Sequence, residues 1–206
     1  TTANNNVAVG PNSLTANTIG AQNVAVGTAC MSANTTGSDN IAMGVSALDA
    51  NTTGSNNTAL GRQALQANTT ASGNVAVGLS ALRLNTTGAS NVAFGQTSLT
   101  NCTTGANNTG IGHQSLNALT TATDCTALGL NAGLGITTGI SNTLIGQGAG
   151  QDITDGVYNT CLGFQTMTHD RNTNGNRNVV IGAFADTSST DSDNQIILGY
   201  NVIGTG

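Results

Sequence analysis

Asn23-Val24-Ala25-Val26-Gly27 returns seventeen residues later as Asn40-Ile41-Ala42-Met43-Gly44, and again as Asn57-Thr58-Ala59-Leu60-Gly61. The closing glycine recurs at Gly10, Gly27, Gly44, Gly61, Gly78, Gly95, Gly112, Gly129, Gly146 and Gly163, nine successive intervals of 17. Gly182 and Gly199 follow at intervals of 19 and 17. A fixed period is the signature of a repeat architecture, in which each coil hides its apolar side only by stacking on its neighbours. Residues 1–206 are therefore expected to form a single array of about twelve coils, with a two-residue insertion between 163 and 182.

The apolar phrases decide what each coil is made of. They run for about five residues between Gly, Asn and Thr, too short for the three- and four-residue steps of an amphipathic helix. The fold class that follows is all-β, a parallel β-solenoid of 17-residue coils. The position before the glycine is apolar in every coil: Val9, Val26, Met43, Leu60, Val77, Phe94, Ile111, Leu128, Ile145, Leu162, Ile181 and Leu198. On size alone this column is expected to be the core, sharing one strand face with Val7, Val24 and Ile41 two places earlier. The residue between, Ala8, Ala25, Ala42, Ala59, Ala76 and Ala93, faces the other way and is small, which suits the close approach of another subunit. A second apolar column, Leu14, Met31, Leu48, Leu65, Leu82, Leu99 and Leu116, would supply the opposite wall. Leu60→Asp is then expected to destabilise severely, and Arg62→Ala, in an exposed turn, to matter little.

Composition adds constraints. The chain has nine Asp and no Glu, four Arg and no Lys, and a net charge of −5 without any basic run, so nothing in it grips a nucleic-acid backbone or an anionic membrane. No stretch is long and apolar enough for a membrane span. Two asparagine columns, Asn6 to Asn91 and Asn17 to Asn85, are placed to form ladders of stacked amides and tight turns before Thr-Thr-Gly. Cys30, Cys102, Cys125 and Cys161 fall in four different columns without ligand spacing and are expected to be free thiols, a Cys102–Cys125 bridge staying open. Thr1-Thr2-Ala3 matches the phase of Thr69-Thr70-Ala71, so the chain is expected to be a fragment of a longer one. A coil this small has a thin core, and an oligomer, specifically a homotrimer, is expected to supply the missing cover.

Phrases such as Asn23-Val24-Ala25-Val26-Gly27 resemble the N-S-V-A-I-G repeat of trimeric autotransporter adhesin heads. That resemblance implies a left-handed parallel β-roll assembled as a trimer. The longer form, Asn57-Thr58-Ala59-Leu60-Gly61 through Asn68-Thr69-Thr70, is similar still more closely to repeats of phage and large-virus tail-fibre proteins. The implied role is a virion fibre that supports host-cell attachment, with the head of a bacterial surface adhesin binding matrix or cells as the alternative. The implied location is a virion surface or, in the alternative, the bacterial outer surface.

Two histidines and nine aspartates spread over different columns offer no acid, base or nucleophile cluster, so neither an enzyme, a metal site nor a cofactor is expected. Asp152 with Asp155, and Asp186 with Asp191 and Asp193, read as solvated turn carboxylates, and His113 as a loop residue. The sequons at Asn34, Asn51, Asn68 and Asn85 are by-products of the repeat. An ice-binding solenoid is a minor alternative, weakened because adjacent threonines in an extended segment point to opposite sides. The one irregular coil holds His169, Arg171, Asn172, Asn174 and Arg177, a set able to hydrogen-bond a host receptor or glycan.

Overall fold

A computed structural model describes residues 4–168, 174–189 and 191–204. It is a parallel β-solenoid. Its strands are β1 (Val7–Val9), β2 (Val24–Val26), β3 (Ile41–Met43), β4 (Thr58–Leu60), β5 (Val75–Val77), β6 (Val92–Phe94), β7 (Thr109–Ile111), β8 (Thr126–Leu128), β9 (Thr143–Ile145), β10 (Thr160–Leu162), β11 (Val179–Ile181) and β12 (Ile196–Leu198). They pair in sequence order in one twelve-stranded parallel sheet. Ala42 stands beside Ala59, and Ala59 beside Ala76, so each strand meets the same position one coil on. The insertion leaves the ladder unshifted: Thr160 pairs with Val179, 19 residues away, and the register resumes at 17 with Val179 beside Ile196. At the usual strand separation, twelve coils make a rod roughly 55 Å long.

Between strands the chain turns by visiting positive φ at fixed columns. In the third coil Gly44 has φ 136°, Ser46 55° and Leu48 52°. Glycine is required at the first of these, because a Cβ on Gly44 would lie 2.6 Å from the carbonyl oxygen of Gly61 below it. At Leu48 the left-handed conformation costs about 1–2 kcal/mol. Stacking over-determines it: the Leu48 N–H donates to the Ala64 carbonyl of the next coil at 2.9 Å, while the Ser46 N–H donates back to Thr28 at 3.0 Å. The conformation turns the leucine inward, where it is fully buried with Met31, Leu65, Leu82, Leu99 and Leu116.

The sidedness of the strands corrects the sequence reading. Ala25, Ala42, Ala59, Ala76 and Ala93, expected at a subunit contact, are wholly enclosed within their own chain, and only Ala8 of the first strand is exposed. The column expected to be core faces out. Val9 is 56% exposed, Phe94 55% and Leu198 65%; Met43, Ile111, Leu128, Leu162 and Ile181 are also exposed, and Val26, Leu60, Val77 and Ile145 are half-buried. The cause is volume. The leucine column fills the narrow interior from the opposite wall and leaves room for one methyl on the strand side. Parity carried the signal: Asn23 and Ala25 share a strand face, and Asn23 is fully buried.

Two amide ladders line this interior. Along the first, the Asn40 N–H donates to Asn23 Oδ1 of the coil before at 3.1 Å, and Asn40 Nδ2 to the Gly54 carbonyl at 2.9 Å. Along the second, Asn51 Nδ2 donates to Asn34 Oδ1 at 2.7 Å and to the Gly54 carbonyl at 3.0 Å. Each buried amide thus closes a turn and joins two coils, which offsets its desolvation.

Candidate functional site

A three-residue strand with its middle residue inside has its other two outside. Repeated twelve times, this lays an apolar strip along the whole rod. One edge is the column Val7, Val24, Ile41, Thr58, Val75, Val92, Thr109, Thr126, Thr143, Thr160, Val179 and Ile196, and the centre is the column from Val9 to Leu198. The position after the glycine widens it with exposed Val45, Leu79, Leu130, Phe164 and Tyr200. Toward the end of the array an aromatic cluster borders the strip, with Phe164 and Phe184 ring centroids 5.2 Å apart and Phe184 and Tyr200 6.0 Å apart, both edge-on. Arg62 interrupts the third row as an exposed residue, and His113 is exposed in the same row. The strip measures about 55 Å by about 15 Å, so it covers roughly 800 Å². Contiguous apolar patches of that size are uncommon on a monomer's surface and mark interaction sites.

Away from this face the reactive groups are withdrawn. All four cysteines are free and buried. Burial raises the Cys30 thiol to about 11 and Cys102 to about 12, and it raises Cys125 and Cys161 as well. Cys125 stands in an asparagine column and imitates the amide, its Sγ donating to the Gly139 carbonyl at 3.2 Å. The sequon residues Asn34, Asn51, Asn68 and Asn85 are wholly buried. Among the described residues no three His, Cys, Asp or Glu side chains gather as a metal-binding group. Asp155, Asp191 and Asp193 are exposed, whereas Asp186 is buried with Oδ1 accepting the Thr187 N–H at 2.8 Å.

The threonine pairs differ from expectation. Because the segment bends, both residues of a pair sit at the surface: Thr52 is half-buried with its hydroxyl donating to the Thr69 carbonyl at 3.1 Å, and Thr53 is exposed. Of the receptor-contact residues read from sequence, His169, Arg171 and Asn172 lie outside the described residues. Asn174 and Arg177 are exposed three positions apart on the turn before β11, with Asn174 Oδ1 accepting from Thr154 Oγ1 at 3.3 Å. Sequence reasoning missed the apolar strip as a surface: it placed the column before the glycine and the one two places earlier on one strand face but turned that face inward, and it read the position after the glycine as a turn. Comparisons with protein-family models, with curated proteins and with solved structures returned no match.

Proposed function

We propose that this chain is a structural segment of a virion fibre, a left-handed β-roll in which three copies associate side by side to hold a host-attachment element away from the particle. The observation that carries the reading is the largely apolar strip along the rod, interrupted in its third row by Arg62. A lone rod leaves it in water, whereas three parallel copies cover it around a common axis. Its extent, roughly 800 Å² on one copy, matches what each partner contributes to a stable interface. The enclosed alanine column cannot serve this purpose, so the contact moves from the alanines to the valine, isoleucine and leucine columns. The resemblance of the long coil to tail-fibre repeats supports the virion setting.

Sedimentation tests the assembly, with an elongated trimer expected and a compact monomer counting against it. Phe94→Asp, on the outside, should yield folded monomers. Gold-labelled antibody against the chain tests the setting: label on particle fibres supports the proposal, and label on a bacterial surface transfers it to an adhesin head. Receptor or glycan contact is assigned to His169, Arg171, Asn172, Asn174 and Arg177. Arg171→Ala with Arg177→Ala should weaken host attachment while leaving trimer melting unchanged.

A further inference from the structure

We propose that Asn174–Gly175 is a self-modification site, where the chain slowly converts Asn174 into aspartyl and isoaspartyl products through a succinimide with the help of the Thr154 hydroxyl; the inference stands apart from the assembly proposed above. The reaction joins an asparagine side chain to the backbone nitrogen of the next residue. Of the 28 asparagines in the chain, Asn174 alone precedes glycine, whose lack of a Cβ leaves that nitrogen open to ring closure. The Gly175 nitrogen gives its proton to hydroxide and attacks Asn174 Cγ. A C–N bond forms, and the amide nitrogen takes a proton from water and leaves as ammonia. Water then opens the ring: at the side-chain carbonyl it yields aspartate, and at the backbone carbonyl it yields isoaspartate.

The structure separates Asn174 from the ladder asparagines, whose reacting groups are committed. Asn23 Nδ2 donates to the Gly37 carbonyl at 2.9 Å, and the nitrogen that would attack it, Val24 N–H, donates to the Asn40 carbonyl at 2.8 Å. Asn34 is held likewise, through Nδ2 to the Gly37 carbonyl at 3.0 Å and through Thr35 N–H to the Thr52 carbonyl at 2.9 Å. The exposed Asn12, Asn56, Asn107 and Asn194 precede Ser, Asn, Asn and Gln, whose side chains crowd the ring. Asn174 is exposed, in the column of the exposed Thr36 and Thr53, with Asp155 one coil before it. Glycines of the next column hold their N–H groups loosely: Gly20, Gly37 and Gly139 donate at 3.4 Å to carbonyls already accepting from Thr18, Thr35 and Thr137. Thr154 Oγ1 donates to Asn174 Oδ1 at 3.3 Å, the oxygen that gains charge as nitrogen attacks. The product adds a carboxylate beside Asp155, within the set assigned to receptor contact. Isoaspartate also lengthens the main chain by a methylene, which moves the Gly175 carbonyl away from the buried Asn159 Nδ2 that donates to it at 2.8 Å.

Peptide mapping by mass spectrometry, after storage of the folded chain in mildly alkaline buffer, reads the reaction. The mass gain of amide-to-acid conversion should accumulate on the peptide holding Asn174, resolve into two products and rise with hydroxide, while ladder peptides stay unchanged. Asp155–Gly156 can close the same ring by losing water, but its isomerisation leaves the mass unaltered. Gly175→Ala should abolish the gain, and the fold accepts a methyl there because Ala71 and Ala122 occupy the same column, buried. Thr154→Val should slow the folded chain about fivefold, the effect of one hydrogen bond, and leave the urea-unfolded chain at its parent rate. If Asn174 stays intact in the folded chain while the unfolded chain converts, the turn protects it and the proposal fails. Conversion of Asn12 or Asn56 at an equal rate also overturns it. An unchanged folded rate in Thr154→Val removes the hydroxyl from the reaction.

Discussion

The stretch from Asn17 to Asn85 and the stretch from Cys102 to Ile153 share one backbone but fill it differently. In the first, the second ladder column is asparagine throughout: Asn34, Asn51, Asn68 and Asn85 each donate to the amide oxygen one coil before, and Asn17 donates to the Gly20 carbonyl of its own turn. In the second, the same column is Cys102, Leu119, Ile136 and Ile153, fully buried and apolar. Strand pairing and the positive-φ pattern run through both. The coil shape therefore comes from the glycine column and the left-handed turns, and the interior need only be consistent from coil to coil. The junction shows what inconsistency costs: Asn85 Oδ1 is buried without a partner, because the next residue in its column is Cys102.

The apolar stretch also redistributes volume. Gly133 and Gly150 stand where the leucine column would continue, and Leu144 stands where the strand would carry alanine. A Cβ on Gly133 would lie 2.7 Å from Leu144 Cδ1, and one on Gly150 would lie 2.6 Å from Leu144 Cδ2. One long side chain from the strand wall thus occupies the space that two leucines on the opposite wall leave vacant.

The largest effect expected separates inside from outside in a single strand. Ala59→Asp places a carboxylate in the enclosed interior and should cost about 4 kcal/mol or more, enough to abolish the cooperative melt. Leu60→Asp, one residue away on the outer face, should retain the strand signal in circular dichroism and lose the association instead. If the two variants melt alike, the assignment of faces fails. Next, Leu144→Ala should cost about 2–4 kcal/mol in chemical denaturation by opening a cavity across two coils. Adding Gly133→Leu should recover much of it, since Gly133 has φ 60° like the leucines of its column, and purely additive costs would disprove the exchange.

The two interiors should reject each other's residues. Asn51→Ile strips a partner from Asn34 Oδ1 and from the Gly54 carbonyl, and Ile136→Asn sets an amide among apolar neighbours; each should lower stability by about 1–3 kcal/mol. A neutral result for either would show that the column is indifferent to chemistry. Smaller again is the response to alkali. The Cys30 and Cys102 thiols are raised to about 11 and about 12, so the unfolded chain releases these protons first. Their contribution is complete below the ordinary thiol range near pH 9 and is lost as pH rises through the folded values. Melting temperatures should therefore fall from about pH 9 upward, less steeply when both cysteines are replaced by alanine. The smallest change expected is from Cys102→Asn. It gives Asn85 Oδ1 a donor but leaves its own oxygen facing Leu119, so the unpaired atom moves one coil and the melting curve should barely shift.

Much of this was legible in the sequence. The recurring glycine located every strand, and the buried column from Met31 to Leu116 was read as core and is core. Which strand face points inward was not legible from size, because Val26 and Leu60 are larger than Ala25 and Ala59. Packing against the leucine wall decided that, and the wall's reach depends on backbone angles that periodicity does not encode. The parity of Asn23 with Ala25 held the answer, provided the asparagines were recognised as interior. The contact residues near the insertion were chosen by chemistry alone, and of these the described surface presents Asn174 and Arg177.

The close stacking of the glycine column, where Gly44 leaves no space for a side chain above Gly61, has a consequence for how the gene can change. Whole units can be copied or removed, because every cut made at the same phase rejoins glycine to glycine, while partial units bring a side chain onto a carbonyl. The protein's length is thereby a quantity inherited in steps of one coil, ~4.8 Å each. Recombination between the near-identical coding repeats would lengthen or shorten the rod like links on a measuring chain, without redesigning any link.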